Sequence, residues 1–462
     1  MTDDVERPNI LLVVLDSARA DRFGCYGYEK RTTPNIDRIA EEGTLFTECY
    51  SESSWTLPVS FTLLTGLVPR EHRSESYREL PPELPTLQEA MIRAGYETFL
   101  FSSNAFLGPA TGLQRGFDHF DMSIHVRGFA KLLLKYVTLR LGLTDTGGQG
   151  MTGRLLRYLP RVTPPWFGVV WYNECHHPYM GKQPFSTKFA TRPLSLARRF
   201  HLMSRMRRMQ ELAATGSQED LEDISSLYDG ALAYNDHLVG QLREAMEKLG
   251  LWEDTVVVIC ADHGDMLGDR GVISHGRPAG MYRPLIRVPL IVRAPHILPT
   301  GHRSHALVQL SDLTETFAAM AGQLEALPGT ATQRINLREA ATGSGRQHAV
   351  SERSAWPERS LRRARKRNPS FDFDRFAGHM AAYIEDGWEL ISSQTGRNEL
   401  YHLAEDPGET TDLIDEEPER TRHMREALRQ WQERVLPHPV TEGLTEREDP
   451  EVRRRLEGMG YF

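Results

Sequence analysis

Along the first half of the chain, short uninterrupted apolar runs alternate with stretches whose apolar positions recur every three or four residues. The runs Asn9 to Leu15, Glu97 to Ser102, Trp166 to Tyr172, Thr255 to Ala261 and Val288 to Arg293 read as strands. Trp166 to Tyr172 is apolar throughout, as a strand covered on both faces must be. Between the runs, Pro34 to Gly43 predicts a helix with Thr33 as its N-cap and Gly43 as its stop. Leu87 to Ala94 predicts a second helix, and Ser225 to Leu249 a long amphipathic one. This alternation predicts an α/β domain, doubly wound, with a mostly parallel sheet and helices on both faces.

After Gly322 the pattern weakens. Arg359 to Arg367 reads as a basic exposed loop; Ala381 to Ile384 and Trp388 to Ile391 read as strands, and Glu417 to Val435 as a helix. The expected organisation is a catalytic domain over 1–340, a small C-terminal α+β domain over 345–440 and a tail over 441–462. Two insertions are expected, near 126–164 and 185–215. The first mixes basic and apolar residues around a flexible break at Gly147-Gly148-Gln149-Gly150. The second includes Arg192 to Arg208, where six arginines interleave with Leu, Met and Phe. That run serves either as a solvated helix face or contact between copies of the chain, or as a surface for anionic substrate or lipid headgroups.

Composition narrows the class. The chain has 462 residues, 40% hydrophobic and 26% charged, with a net charge of -8, which is ordinary for a globular protein and opposite to the basic excess of nucleic-acid binders. No stretch approaches the ~20 apolar residues of a membrane-spanning helix, and the polar start Met1 to Arg7 leads into too short an apolar run for a signal peptide. A cytoplasmic location is the expectation. The cysteines Cys25, Cys49, Cys175 and Cys260 are scattered without CxxC pairing, so free thiols are expected.

In open α/β sheets, ligands bind at the carboxyl ends of the strands. Asp16 follows one predicted central strand, and Asp262-His263-Gly264-Asp265 follows another. Carboxylates and an imidazole so placed suit a divalent cation, although Asp16 by itself equally suits a turn cap. Thr56 precedes a Leu-Pro step and a helix-like run at Phe61 to Leu64 that ends in Thr65-Gly66, which composition alone reads as a loop and helix cap. Asn104 follows the strand at Glu97 to Ser102, where a structural turn and a substrate contact are about equally supported.

Six ordered motifs resemble the sulfatase branch of the alkaline phosphatase superfamily. They are Arg7-Pro8-Asn9 through Asp16; Gly24-Cys25-Tyr26-Gly27, with Thr33-Pro34-Asn35-Ile36-Asp37 and Ala40 to Phe46 in order behind it; Pro58 to Gly66; His176-His177-Pro178-Tyr179; Ala261 to Asp269; and the C-terminal signature Glu399 to Leu403 followed by Asp406 to Thr410. The resemblance spans nearly the whole chain. It implies an alkaline-phosphatase-like doubly wound mixed sheet with a small C-terminal α+β domain. It also implies one divalent metal ion (Mn, Zn, Mg or Ca) held by Asp16, Asp262, His263 and Thr56. Thr56 stands where sulfatases carry the Cys or Ser that becomes formylglycine, Ser60 stands in place of the motif's Arg, and Ser17 follows Asp16 where many members have a second Asp. Thr at that position resembles the phosphoryl-transferring relatives, which use it directly as nucleophile.

The resemblance further implies leaving-group and charge-stabilising roles for His176 and His275, and substrate contacts for Asn104 and Ser60. The expected substrate is a small-molecule, lipid-linked or glycan-linked phosphate or sulfate ester, with no nucleic-acid partner and a homo-oligomer compatible with the sequence. Three functions stay open: a Thr-nucleophile phosphoesterase or phosphotransferase, a sulfuric ester hydrolase without formylglycine, and a sulfatase-fold binding protein without turnover.

Overall fold

The long apolar runs become strands because each is covered on both sides. The computed structural model describes residues 7–438 apart from 78, 110, 123–144, 178, 180, 210–216, 276–278, 344, 368 and 370. The first part of the 126–164 insertion and the tail over 441–462 lie outside the described residues. In chain order the strands are β1 (Asn9–Leu15), β2 (Thr44–Tyr50), β3 (Glu97–Ser102), β4 (His119–Met122), β5 (Trp166–Tyr172), β6 (Thr255–Cys260), β7 (Met266–Leu267), β8 (Ile273–Ser274), β9 (Leu290–Arg293) and β10 (His302–Gln309). Eight of them form one sheet in the order β10-β2-β9-β6-β1-β5-β3-β4, and β7 and β8 pair with each other. Within the large sheet only β9 runs antiparallel to its neighbours. All other carboxyl ends therefore open on one edge.

Period-two alternation sends successive side chains to opposite faces of this sheet. On β5, Phe167 meets Phe317 of the helix Ser311–Met320, whereas the Tyr172 hydroxyl lies 2.8 Å from Thr152 of the helix Gly148–Tyr158. The helices Pro34–Glu41, Gly148–Tyr158 and Gln218–Lys248 pack together, and so do Thr56–Thr65, Leu87–Arg93 and Ser311–Met320. The doubly wound mixed α/β sheet is thus as expected.

Several local expectations are corrected. Thr33 makes no cap bond; its hydroxyl donates to Asp37, and the Asp236 carboxylate from the long helix accepts the Asn35 and Ile36 N–H groups instead. The glycines at 147–150 are no flexible break. The helix Gly148–Tyr158 begins there, Glu174 accepts the Gly148 N–H at 2.9 Å, and a Cβ on Gly148 would lie 2.6 Å from that carboxylate. Glycine is required for the close approach. The basic loop at 359–367 is a helix, Glu358–Arg367, whose Leu361 and Ala364 pack against Phe373 while the basic side chains face outward. Two apolar positions three apart fixed one face that the surrounding charge concealed.

In the arginine run, which forms the helix Leu196–Met209, Arg198 pairs with Asp220 and Asp223 of the long helix; Arg192, just before it, pairs with Glu219 and Asp223. Strands β2 and β10 were not legible, because both mix polar with apolar residues.

The C-terminal part forms an antiparallel sheet, β11 (Ala349–Arg353), β12 (Met380–Glu385), β13 (Trp388–Ser393) and β14 (Glu399–His402). Alternation divides its faces. Ala381, Tyr383, Leu390 and Leu400 pack under Met424, Leu428 and Trp431 of the helix Pro418–Arg434, while Ala382, Ile384, Ile391 and Tyr401 pack on Tyr50, Met281, Tyr282 and Ile286 of the large domain.

This joint buries a carboxyl pair. Glu389 on β13 and Glu409 lie against each other with Arg283, Tyr50 and Glu399 around them, and no donor reaches either Glu389 oxygen among the described residues. Burial and mutual repulsion push Glu389 well up, and burial pushes Glu409 up to about 7. The folded state therefore binds protons more tightly than the unfolded one, whose glutamates titrate near 4.3. Stability from this pair is full below that value and is lost as pH rises through about 7. The melting temperature of Glu389→Gln should fall less steeply than wild type between about pH 5 and 8, as differential scanning calorimetry across that range would show.

Candidate active site

Register places the polar residues before any side chain is considered. On β1 and β6, Val14 is opposite Cys260; on β1 and β5, Leu15 is opposite Tyr172; on β5 and β3, Trp171 is opposite Ser102. Carried one or two residues past the ladders, the same offsets bring Asp262, Asp16, Asn173 and Asn104 into one row across four adjacent parallel strands. Asp16 continues the ladder through its N–H to the Tyr172 carbonyl at 2.9 Å.

Asp16, Asp262 and His263 each offer a ligand atom, all within 4.8 Å of one another, and all three residues are fully buried. Thr56 Oγ1 joins them, 3.5 Å from Asp16 Oδ2 and 3.2 Å from His263 Nε2. The His263 tautomer follows from its partner. Nδ1 lies 2.7 Å from the Gly264 carbonyl, which can only accept, so the proton is on Nδ1 and the Nε2 lone pair faces the cluster. Burial also lowers the His263 pKa and keeps the ring neutral.

Asp262 Oδ1 accepts the backbone N–H groups of Ser17 and His263, at 3.0 and 2.9 Å, while its buried Oδ2 lies 3.3 Å from His263 Nε2. Burial and the Asp16 charge push the Asp262 pKa well up. Burial would raise Asp16 as well, but His176 and the Trp171 donor outweigh it and hold Asp16 down. Two carboxylates, a neutral imidazole and a hydroxyl converging in a dry interior are the donor set of a divalent cation, so these residues fit the implied metal.

The nucleophile segment differs from the expected loop. The helix runs Thr56–Thr65, so Thr56 is its first residue and Pro58 lies in its first turn, where a missing N–H costs no intrahelical bond. The segment before it is pinned by the C-terminal sheet. Glu352 N–H donates to the Glu52 carbonyl at 2.9 Å, Ser53 Oγ to the Glu352 carbonyl at 2.8 Å, and Ser351 Oγ to the Ser51 carbonyl at 2.5 Å.

His176 and His275 come together beside the cluster, with ring centroids 4.8 Å apart, and His275 lies 4.5 Å from the His263 ring. Burial and the two neighbouring imidazoles hold His275 well below the ordinary histidine range. Asp265 lies 3.4 Å from His275, and the Tyr179 hydroxyl donates to it at 2.8 Å.

Asn104 Nδ2 donates to Asp16 Oδ2 at 2.6 Å. Ser60 is not brought to the cluster by any described contact; its hydroxyl donates to the Leu57 carbonyl within the helix. Ser17, with φ 61°, turns the chain so that its N–H meets Asp262 and its hydroxyl meets Asp16 at 2.9 Å. Sequence reasoning missed Trp171, whose indole N–H donates to Asp16 Oδ2 at 3.0 Å. It stands in an all-apolar strand, where the pattern registers only core. Gly264 carried a signal: a Cβ there would lie 2.0 Å from the Pro284 carbonyl.

The cluster lies at the carboxyl ends of the strands of a doubly wound α/β sheet, where such folds place their ligand sites. A family model described as Sulfatase matches residues 8–323, and the chain belongs to that family, within the alkaline phosphatase superfamily. The arylsulfatase A of Bos taurus is 27% identical and covers 92% of this chain and 86% of its own length. The arylsulfatase of Clostridium perfringens is 22% identical, over 91% of this chain and 94% of that one. Among solved structures, the phosphonate monoester hydrolase of Agrobacterium radiobacter superposes with a TM-score of 0.72 at 21% identity, over 92% of this chain and 95% of that one. That likeness shows the alkaline-phosphatase-like fold. No helix among the described residues is long and apolar enough to cross a membrane.

Zn²⁺ or Mn²⁺ should raise the wild-type melting temperature. Asp262→Asn should abolish that rise while melting no lower than wild type without metal, since it removes the repelling charge. Fluorimetric melting with and without each ion measures both.

Proposed function

We propose that this chain cleaves phosphate esters, with Thr56 as nucleophile and one divalent cation held by Asp16, Asp262, His263 and the Thr56 hydroxyl. The observation that carries this reading is the position of Thr56 Oγ1, 3.2 and 3.5 Å from two of the other donor groups, on the first residue of a helix. A cation bound there lowers the pKa of the hydroxyl and offsets the charge of an anionic substrate. The helix start adds backbone N–H groups without intrahelical partners, a favourable place for the anionic group. Thr56, β-branched and buried, holds its hydroxyl at little entropic cost.

In the step proposed, Thr56, its hydroxyl proton given up to solvent with the cation bound, forms the Oγ–P bond as the ester P–O bond breaks. His176 gives the departing oxygen its proton, and His275, held neutral, donates a hydrogen bond to the transferring group. Water or an acceptor alcohol then takes the phosphoryl group from Thr56. Asn104 acts through Asp16 in this reading, and Ser60 has no contact supporting a substrate role.

Phosphate is favoured over sulfate because Thr has one hydroxyl and cannot eliminate sulfate as a hydrated formylglycine does. A sulfuric ester remains the second reading, favoured by the arylsulfatase relatives. Retention of a complete donor cluster argues against a binding protein without turnover. The substrate would be a small-molecule, lipid-linked or glycan-linked ester, and the cysteines Cys25, Cys49, Cys175 and Cys260, all free, support a reducing, cytoplasmic setting.

Thr56→Ala should lower kcat on nitrophenyl phosphate, phosphodiester or phosphonate by at least about 10³-fold, with the fold intact by circular dichroism and Thr56→Ser retaining part of the rate. Intact-mass spectrometry after an acid quench should find a phosphate-sized adduct on the wild type only. Full activity in Thr56→Ala, or faster turnover of nitrophenyl sulfate without an adduct, overturns the reading.

A further inference from the structure

Two large tryptophans are fully buried on β5, Trp166 and Trp171, and their indole N–H groups meet opposite fates. That of Trp166 has no hydrogen-bond partner among the described residues. That of Trp171 donates to Asp16 Oδ2 at 3.0 Å, beside Asn104 Nδ2 on the same oxygen at 2.6 Å. The Ser17 hydroxyl donates to the other oxygen at 2.9 Å. Asp16 is thus held by three neutral donors from three strand ends, in a place where water does not reach it.

We propose that Trp171 is a positioning residue for the cation site: its indole N–H fixes the orientation of Asp16, and cation affinity depends on that bond. The inference rests on the reading of Asp16 as a ligand. The chemistry follows from the donor geometry. A neutral N–H bonded to a carboxylate stabilises the ionised form without adding a positive charge that would repel the metal. A lysine or arginine in this place would satisfy Asp16 as well, but would cancel the negative charge that attracts the cation. The rigid indole, packed in the core of a central strand, also leaves Asp16 one orientation, so little ordering is required on binding. Phenylalanine at 171 would keep most of the packing and remove the donor.

The test uses the full-length protein stripped of metal, with Mn²⁺ and then Zn²⁺ as probes and binding read by isothermal titration calorimetry. Trp171→Phe should weaken affinity by about 10-fold or more, the usual loss when a group bonded to a metal ligand is removed. Trp166→Phe, which deletes an indole of the same size from the same strand, should stay within about twofold of wild type. Circular dichroism checks the fold, and Trp171→Leu replaces Trp171→Phe should the latter fail to fold. Affinity of Trp171→Phe within about twofold of wild type overturns the proposal, and so does an equal loss in the two variants, which would mark a packing effect. A wild-type protein that binds neither ion overturns the reading of the site itself. Kinetics on the metal-saturated enzyme supply a second readout: the kcat of Trp171→Phe should recover at high Mn²⁺, and a kcat that stays low at saturation overturns a role in cation affinity.

Discussion

Everything at this site depends on two carboxylates buried side by side. Asp16 and Asp262 end neighbouring parallel strands in register, both fully buried. Neither can be ionised cheaply there, and both together only beside compensating positive charge. The surroundings divide the load unequally. Asp16 is held down by His176 and by neutral donors, whereas Asp262 is pushed up by burial and by Asp16. A divalent cation resolves the conflict, and the neighbouring groups are arranged as if for one: a neutral imidazole with its lone pair turned inward, and a hydroxyl within reach.

The sheet supplies the precision. A one-residue slip between β1 and β6 would turn one of the two aspartates to the opposite face. Continuous apolar strands under helices on both sides make such a slip expensive, because the whole row would change faces. The proposed nucleophile comes from farther along the sheet edge. Thr56 follows β2, two strands from β6, and the segment before it is tied to β11 at residues 51–53 by one backbone hydrogen bond and two from serine hydroxyls. The small C-terminal sheet is therefore part of the site's framework, held to the large domain by an apolar face.

Membership of the sulfatase family sets the chemistry in ester cleavage, and three substitutions mark this chain within it. Thr56 replaces a residue convertible to formylglycine. Ser17 replaces a charged ligand with two hydrogen-bond donors, one to each aspartate. Ser60 replaces an arginine and turns its hydroxyl back to its own helix. The result is a site with fewer charges and a shorter ligand list, which keeps its acidic pair ordered by neutral donors.

The sequence alone determined the strands built on long apolar runs, β1, β3, β5 and β6, because burial on both faces leaves little other composition for their middles. It also determined which residues end them, and the ordered motifs identified Asp16, Thr56, Asp262 and His263. Tertiary structure decided what local pattern cannot encode. β2 and β10 are paired at the sheet edge with polar residues in their runs, so they carry no apolar signature. The basic helix at 358–367 shows its character only against Phe373. Trp171 illustrates the limit most clearly. In sequence it is one more core residue; only the register of β1 against β5, set by the packing of the whole sheet, brings its indole N–H to Asp16.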